Sequence, residues 1–336
     1  MQNLQWKKVG LIGIGAIAKR HAEAVAALGG TVVAACAGRP DSPNWPGFLE
    51  IAPACRQLPD WRAVVEDPEV EAIVACAPWD QSPAMAAVLI EATDKPLLLE
   101  KPVALDAAQA LRLVESAGDR AHIMVGYNRR FYEPVASLRE AIAAQRPVGA
   151  SVRIGETVAR QVERFGPEIA PHLLAFSSAH ALDLMVHLLG PLSVRALAHH
   201  RTEHQPPTAS DGFLSVTAML TNRDGVPVTL EVTAEDPGPN EVRFRFDGGL
   251  AYRLAPLESL QILQGIRIEE PGPGRTVRRF EPIEVGRVEA DGAIKPGIPG
   301  QMRAFLSGEP GPAAGLRDAL RVMELLDAFK RPATVL

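Results

Sequence analysis

The chain has 336 residues, 47% hydrophobic and 22% charged, with a formal net charge of −5. That length suffices for two domains with a sizeable core, and a mildly acidic balance argues against a broad nucleic-acid footprint, which is usually basic. No run approaches the roughly 18 apolar residues of a membrane span, and residues 1–15 are too short and glycine-broken for a secretory leader.

The first third alternates strand and helix signals, the mark of a parallel sheet with crossover helices. Val9–Ile12 reads as the first strand. A helix from about Ala16 to Leu28 is closed by Gly29-Gly30. Thr31–Cys36 is the second strand, followed by an irregular stretch with Pro40, Pro43, Pro46, Pro53 and Pro59 that offers little helix. Asp60 can cap a short helix over Trp61–Glu66. Val70–Cys76 is a strand; Ser82-Pro83 reads as an N-cap with proline at the first helical position, opening a helix to about Ala92. Leu97-Leu98-Leu99 is a buried strand ending in Glu100-Lys101-Pro102, a bond that can be cis. Asp106 opens a helix to about Ala117, and Ile123–Val125 closes the series.

Composition then shifts. Between about 148 and 284, alternating patterns at Phe213–Leu220, Val226–Val232, Val242–Phe246 and Leu260–Ile268 predict a mostly antiparallel sheet. One apolar helix interrupts it, from about Ser178 to Leu189. Helical periodicity returns over about Leu316–Lys330, while Pro271–Gly274 and Ile294–Gly300 read as loops. The reading is α/β: a doubly wound Rossmann domain over 1–125, then an α/β domain with a large, open, mostly antiparallel sheet over 126–336. The final helix, about 316–330, is free to pack back on the first domain.

Cys36 and Cys76 lie in apolar runs and read as buried thiols. With Cys55 they make an odd count without metal-site spacing, so a reducing cytoplasm fits best and no metal is expected.

Gly13-Ile14-Gly15-Ala16-Ile17-Ala18 is a G-x-G-x-x-A pattern between a strand and a helix. Gly13 permits the tight turn, Gly15 a close approach of a pyrophosphate, and Ala18 close packing of helix on sheet. The helix start offers unpaired N–H groups to phosphates. The plain alternative is a glycine turn without ligand. The second strand ends at Gly38-Arg39, where a carboxylate would bind the ribose 2′-hydroxyl of NAD and an Arg accommodates a 2′-phosphate. This favours NADP(H); Asp41 can reach back, so NAD(H) stays open.

Lys101 follows a buried strand at the sheet edge where such folds bind ligands. There it can polarise a reacting oxygen or pass a proton, with Glu100 anchoring it; otherwise it is a surface lysine. His180 and Asp183, at i and i+3 on the apolar helix, share a face, with His187 close to the same stripe. A carboxylate can set an imidazole tautomer, although a histidine on an apolar helix is more often a satisfied core residue. Zinc on these three is disfavoured by the seven-residue gap and the lack of a nearby cysteine. Gly126-Tyr127-Asn128-Arg129-Arg130-Phe131 joins the two halves, and either arginine can bind an anionic or polyhydroxy substrate or form a structural salt bridge. His199, His200 and His204 read as a solvated loop.

With these residues on the page, the chain resembles the glucose–fructose oxidoreductase/inositol dehydrogenase (Gfo/Idh/MocA) family. The resemblance rests on Val9 to His21, Glu100-Lys101-Pro102, Gly126 to Phe131, His180-x-x-Asp183 with Leu188-Leu189-Gly190, and the closing helix before Pro332. It implies hydride transfer between NAD(P) and a carbinol or ketone carbon of a sugar, polyol or sugar nucleotide. It also implies oligomerisation of identical subunits through the C-terminal sheet, with neither nucleic acid nor membrane as partner. Lys101 and His180 match the family's catalytic lysine and histidine. The cofactor contacts expected are Gly13, Gly15, Ala16, Ile17, Gly38, Arg39, Ala77, Pro78, Trp79, Glu100, Lys101 and Asn128; the substrate contacts expected are Tyr127, Arg129 and Asp183. Three departures stand out. Phe176 occupies the position four before the histidine where the family often has an acid. Ala77-Pro78-Trp79 replaces the usual Thr-Pro-Asn, putting a bulky wall near the cofactor. The stretch after the second strand is proline-rich. Two other readings remain: a non-catalytic dinucleotide sensor, and a redox-neutral or imine-reducing enzyme of the same fold.

Overall fold

A computed structural model describes residues 4–200, 212–271, 276–309 and 311–332. The chain divides into two compact units: residues 1–132 with 291–327, and residues 133–290 with 328–336. This differs from a single boundary at residue 125. The chain returns to complete the first unit, for reasons visible in its core.

In the first unit, six parallel strands are β1 (Lys8–Ile12), β2 (Thr31–Cys36), β3 (Arg56–Leu58), β4 (Ala72–Ala75), β5 (Leu97–Leu99) and β6 (Ile123–Val125). Their order, β3-β2-β1-β4-β5-β6, is that of the doubly wound dinucleotide-binding sheet. β4, β5 and β6 are buried throughout, as a sheet covered on both faces requires. The crossovers are α1 (Ala16–Ala27), α2 (Trp45–Leu49), α3 (Trp61–Glu66), α4 (Ser82–Ala92) and α5 (Ala107–Ala117). Asp60 and Asp106 cap α3 and α5, accepting from the backbone N–H of Ala63 at 3.0 Å and Gln109 at 2.7 Å.

Two expectations need correction here. The proline-rich stretch does form a helix, α2, because Pro46 sits in its first turn, where a missing N–H costs nothing. Trp45 and Phe48 then bury their rings edge to face. Ser82 is not a cap: Gln81 precedes the helix, and the Ser82 hydroxyl donates instead to the Glu100 carbonyl at 3.0 Å.

Ile298–Ser307, read from the sequence as starting in a loop, is a helix, and its Ile298, Met302, Phe305 and Leu306 belong to one buried cluster with Val9, Ala18, Ala22 and Val25. The backbone ties agree: Gln5 and Trp6 N–H donate to the Leu306 carbonyl, and Val125 N–H donates to Ala314 at 2.8 Å. Leu316–Phe329 is the last helix, and Asp327 accepts from the Ala107 N–H at 2.9 Å.

The second unit holds an eight-stranded sheet of β7 (Gly149–Glu156), β8 (Leu192–His200), β9 (Ser215–Asn222), β10 (Pro227–Ala234), β11 (Glu241–Arg245), β12 (Leu250–Leu254), β13 (Ser259–Glu269) and β14 (Arg279–Glu289). The order is β14-β13-β12-β11-β7-β10-β9-β8, antiparallel except for the β7–β10 pair. Burial alternates along β7, β9 and β10, so one face meets the core and the other meets solvent. Its helices are α6 (Glu133–Ala144), α7 (Val158–Phe165) and α8 (Ala179–Leu189). In first-unit sequence order, α9 (Ile298–Ser307) and α10 (Leu316–Phe329) follow.

His199 and His200 end strand β8 rather than lying in a loop; the His199 ring nitrogen Nε2 is 2.7 Å from the Phe329 carbonyl oxygen. His204, and 272–274 of the expected loop, lie outside the described residues. No helix among the described residues is long and apolar enough to cross a membrane.

Candidate active site

The glycine turn follows β1. Gly13 has φ +92°, a conformation that favours glycine, and an added Cβ would sit 2.5 Å from the Cys76 carbonyl oxygen. Gly15 differs: a Cβ there meets nothing within 4 Å. Gly15 precedes α1, which has neither a side-chain cap nor an acidic residue in its first turn. Backbone donors at this helix start therefore remain for an anion, and Ala16 and Ile17 supply two of those N–H groups. Ala18 is fully buried, as close packing of α1 on the sheet requires. These features fit the pyrophosphate of a dinucleotide.

At the end of β2, Gly38 also has open space around it. Arg39 is exposed and stands 3.6 Å from Asp41, the two alternatives for the ribose contact now paired with each other. Ala77, Pro78 and Trp79 follow β4, which lies between β1 and β5. They occupy the same sheet edge as the glycine turn and Lys101, with Trp79 half-buried.

Glu100 and Lys101 leave the carboxyl end of β5, and the Lys101–Pro102 bond is cis. Lys101 is half-buried. The Glu100 side chain turns inward: Oε1 accepts from His21 Nε2 at 2.8 Å, and Oε2 from the Lys101 backbone N–H at 3.3 Å. Burial by itself would raise the Glu100 carboxyl. The His21 hydrogen bond and the charges of His21, Lys101 and Lys295 outweigh it and hold the group below the ordinary carboxylate range. The carboxylate thus ties the start of the Lys101 segment to α1. Gly126 makes room for it, since a Cβ there would lie 2.8 Å from Glu100 Oε2.

Tyr127 and Asn128 are buried. The Asn128 amide donates to the Pro296 carbonyl at 2.8 Å, so part of its capacity holds the returning segment. The two arginines separate cleanly. Arg130 is buried and internal, donating to Pro312 and Ala313 carbonyls and standing 3.6 Å from Asp318. Arg129 is half-buried, and its Nη1 is buried with no hydrogen-bond partner among the described residues. Of the pair, Arg129 is the one with donor capacity to give.

In the second unit, α8 carries His180, Asp183 and His187. Asp183 is fully buried; His180 and His187 are half-buried. Phe176 packs edge to face on Phe165, centroids 5.3 Å apart. Among the described residues, no group of three or more His, Cys, Asp or Glu side chains is placed to hold a metal ion.

Sequence reasoning missed His21 as the partner of Glu100, and Lys295 and Pro296 as neighbours of the site. The signal for His21 was present: it shares the buried stripe of Ala18, Ala22 and Val25, where a titratable side chain needs an internal partner.

Residues 7–127 match the model of an oxidoreductase family with an NAD-binding Rossmann fold, Gfo/Idh/MocA. Over this stretch the chain is similar to members of that family. An inositol 2-dehydrogenase from Acidothermus cellulolyticus is 30% identical over 230 residues, covering 64% of this chain and 63% of the relative. The chain thus spans less than two thirds of that relative's length. Two solved structures share the fold across nearly the whole chain. A UDP-N-acetylglucosamine 3-dehydrogenase from Acidithiobacillus ferrooxidans is 19% identical with a TM-score of 0.68, covering 96% of this chain and 99% of its own. KijD10, a 3-ketoreductase from Actinomadura kijaniata in complex with NADP and TDP-benzene, is 18% identical with a TM-score of 0.68, covering 96% of each chain.

Proposed function

We propose that the chain is an NAD(P)-dependent oxidoreductase moving a hydride to or from a carbinol or ketone carbon of a sugar, polyol or sugar nucleotide. One observation carries the reading. In one sheet, the open Gly15 turn follows β1 and Lys101 follows β5, two strand positions away, about 10 Å. An anion-binding turn and an ammonium thus share the ligand-binding edge. The substrates in the relatives' names motivate the sugar-like class.

Gly13, Gly15, Ala16, Ile17, Gly38, Arg39, Ala77, Pro78, Trp79, Glu100, Lys101 and Asn128 would hold the dinucleotide, which when bound supplies the hydride acceptor or donor. Lys101 polarises the substrate oxygen, and Glu100 with His21 beneath it keeps the lysine directed. His180 takes or gives the hydroxyl proton, with Asp183 setting its tautomer. Arg129 and Tyr127 bind substrate, Arg129 because its buried Nη1 has no partner among the described residues. The absence of a carboxylate at Gly38 and the exposed Arg39 favour NADP(H), whose 2′-phosphate Arg39 would hold. Identical subunits would associate through the second unit's sheet, where Met219, Ile266, Ile268 and Phe280 are exposed. A reducing cytoplasm suits three free, buried thiols.

The test is a fluorescence titration with NADPH and NADH, followed by turnover on inositols and sugar nucleotides. NADPH preference lost in Arg39→Ala supports the 2′-phosphate role; NADH preference removes it. Lys101→Met should keep most of its cofactor affinity, which the glycine turn carries, and lose at least 100-fold in turnover. Near-normal turnover in that variant would sink the mechanism. Tight cofactor binding without turnover anywhere on the panel would favour the sensor reading.

A further inference from the structure

Glu156 is the last residue of β7 and only 4% exposed. Its two carboxylate oxygens separate their partners. Oε2 accepts from the Ser177 hydroxyl and Oε1 from the Ser178 hydroxyl, each at 2.5 Å. Each serine hydroxyl thus has its own carboxylate oxygen as acceptor. The Ser177 hydroxyl also lies 3.3 Å from the Leu173 carbonyl.

The two serines end a π-helical turn, Leu174–Ser178, that runs directly into α8. Isolated π turns are rare and are found frequently at functional sites. Ser177, in the turn, lies three residues before His180, in the first turn of α8, so the two are neighbours along the chain's helical path. The clamp on Ser177 therefore grips the side of the helix that carries His180. Within one turn before His180 the chain has Phe176, Ser177, Ser178 and Ala179 and no acid. Phe176 is committed to Phe165. The carboxylate that meets this turn comes from a strand instead, across 21 and 22 residues of sequence.

We propose that Glu156 is a positioning residue for His180. By clamping Ser177 and Ser178 it fixes the π-to-α junction, and with it the direction in which the imidazole is presented. The inference rests on the reading of His180 as the group that handles the substrate proton. A glutamine at this position would keep the size and one acceptor oxygen but lose the second, so the two-sided clamp would be broken.

The experiment is nitrogen NMR of histidine-labelled full-length protein, with the His180 ring signals identified by their loss in His180→Gln. In Glu156→Gln, and in Ser177→Ala/Ser178→Ala, the His180 signals should move while those of His21 stay in place. Turnover, followed by nicotinamide absorbance with myo-inositol as probe, should fall about tenfold in kcat, with KM and NADPH affinity within about twofold. An unmoved His180 signal in either folded variant overturns the proposal, as does a loss confined to KM. If Glu156→Gln does not fold, the serine double variant, which keeps the carboxylate, decides by the same criteria. Lys101→Met run in parallel separates the two levels. Retained turnover there sinks the reading beneath this inference; an inactive Lys101→Met beside an unchanged His180 signal sinks only the inference.

Discussion

His21 on α1 and Glu100 at the end of β5 are joined by a 2.8 Å hydrogen bond across 79 residues of sequence, and both are buried. The helix that follows the glycine turn and the strand that delivers Lys101 are thereby fixed to each other. His21→Leu would keep the volume and leave a buried carboxylate without its ring partner. A loss of about 1–3 kcal/mol is expected, the usual cost of leaving a buried acceptor without its hydrogen-bond partner. Urea denaturation followed by circular dichroism measures it, and a change below 1 kcal/mol would mean the pair contributes little.

Gly13 and Gly15 should respond oppositely to alanine. Gly13→Ala forces a side chain into a positive-φ position and against the Cys76 carbonyl, so the melting temperature should fall by several degrees. Gly15→Ala meets no protein atom, so the fold should melt as wild type while dinucleotide affinity drops at least tenfold. Calorimetry and a fluorescence titration on the same samples separate the two effects. Equal melting losses in both would contradict the open space at Gly15.

All three thiols should be silent in the native protein. Burial pushes Cys36 up to about 11 and Cys55 up to about 12, while burial and the Glu100 charge hold Cys76 well above its ordinary value. At pH 8 almost no thiolate exists to react. A chromogenic disulfide reagent should titrate no fast thiol in the folded protein and three after denaturation. One fast thiol in the native state would show that its pocket opens.

Acid should weaken the first unit through three carboxylates held below their ordinary values. Burial opposes the shift at Asp67 and Glu100. At Asp67 the Glu69 N–H and Arg56 overcome it, and at Glu100 His21 and nearby lysines do. Glu71 is lowered mainly by the backbone N–H groups of Lys7 and Lys8. A depressed folded-state value contributes stability above the unfolded value, and that stability is lost as pH falls through the folded one. Melting temperature should therefore hold from about pH 7 to pH 5 and drop progressively below about pH 4. Glu71→Gln should flatten part of that slope; an unchanged slope would remove Glu71 from the account.

Local chemistry made much of the first unit legible in the sequence. Asp60 and Asp106 announced α3 and α5, and the Leu97–Leu99 run announced β5, because each signal acts within a few residues. Ser82 misled for the same reason: it has a cap's composition, but a long-range acceptor, the Glu100 carbonyl, took its hydroxyl. β14 was hard to read because its apolar residues Phe280 and Val285 are exposed, leaving no buried stripe to set a period. The separation of Arg129 from Arg130 was invisible in the sequence, since it depends on Asp318 and on carbonyls more than 180 residues away. His21 was missed because a pair 79 residues apart leaves only a faint trace, one histidine in an alanine-rich stripe.

The α9 side chains that fill the first unit's core come from beyond residue 290. During synthesis the ribosome must therefore finish the second unit's sheet before the cofactor-binding unit can close. Until then Val9, Ala18 and Val25 lack their α9 cover, and such exposed apolar surface makes a nascent chain prone to aggregate. A circular permutant opened after residue 290 would place α9 and α10 ahead of β1 and reverse that order of assembly.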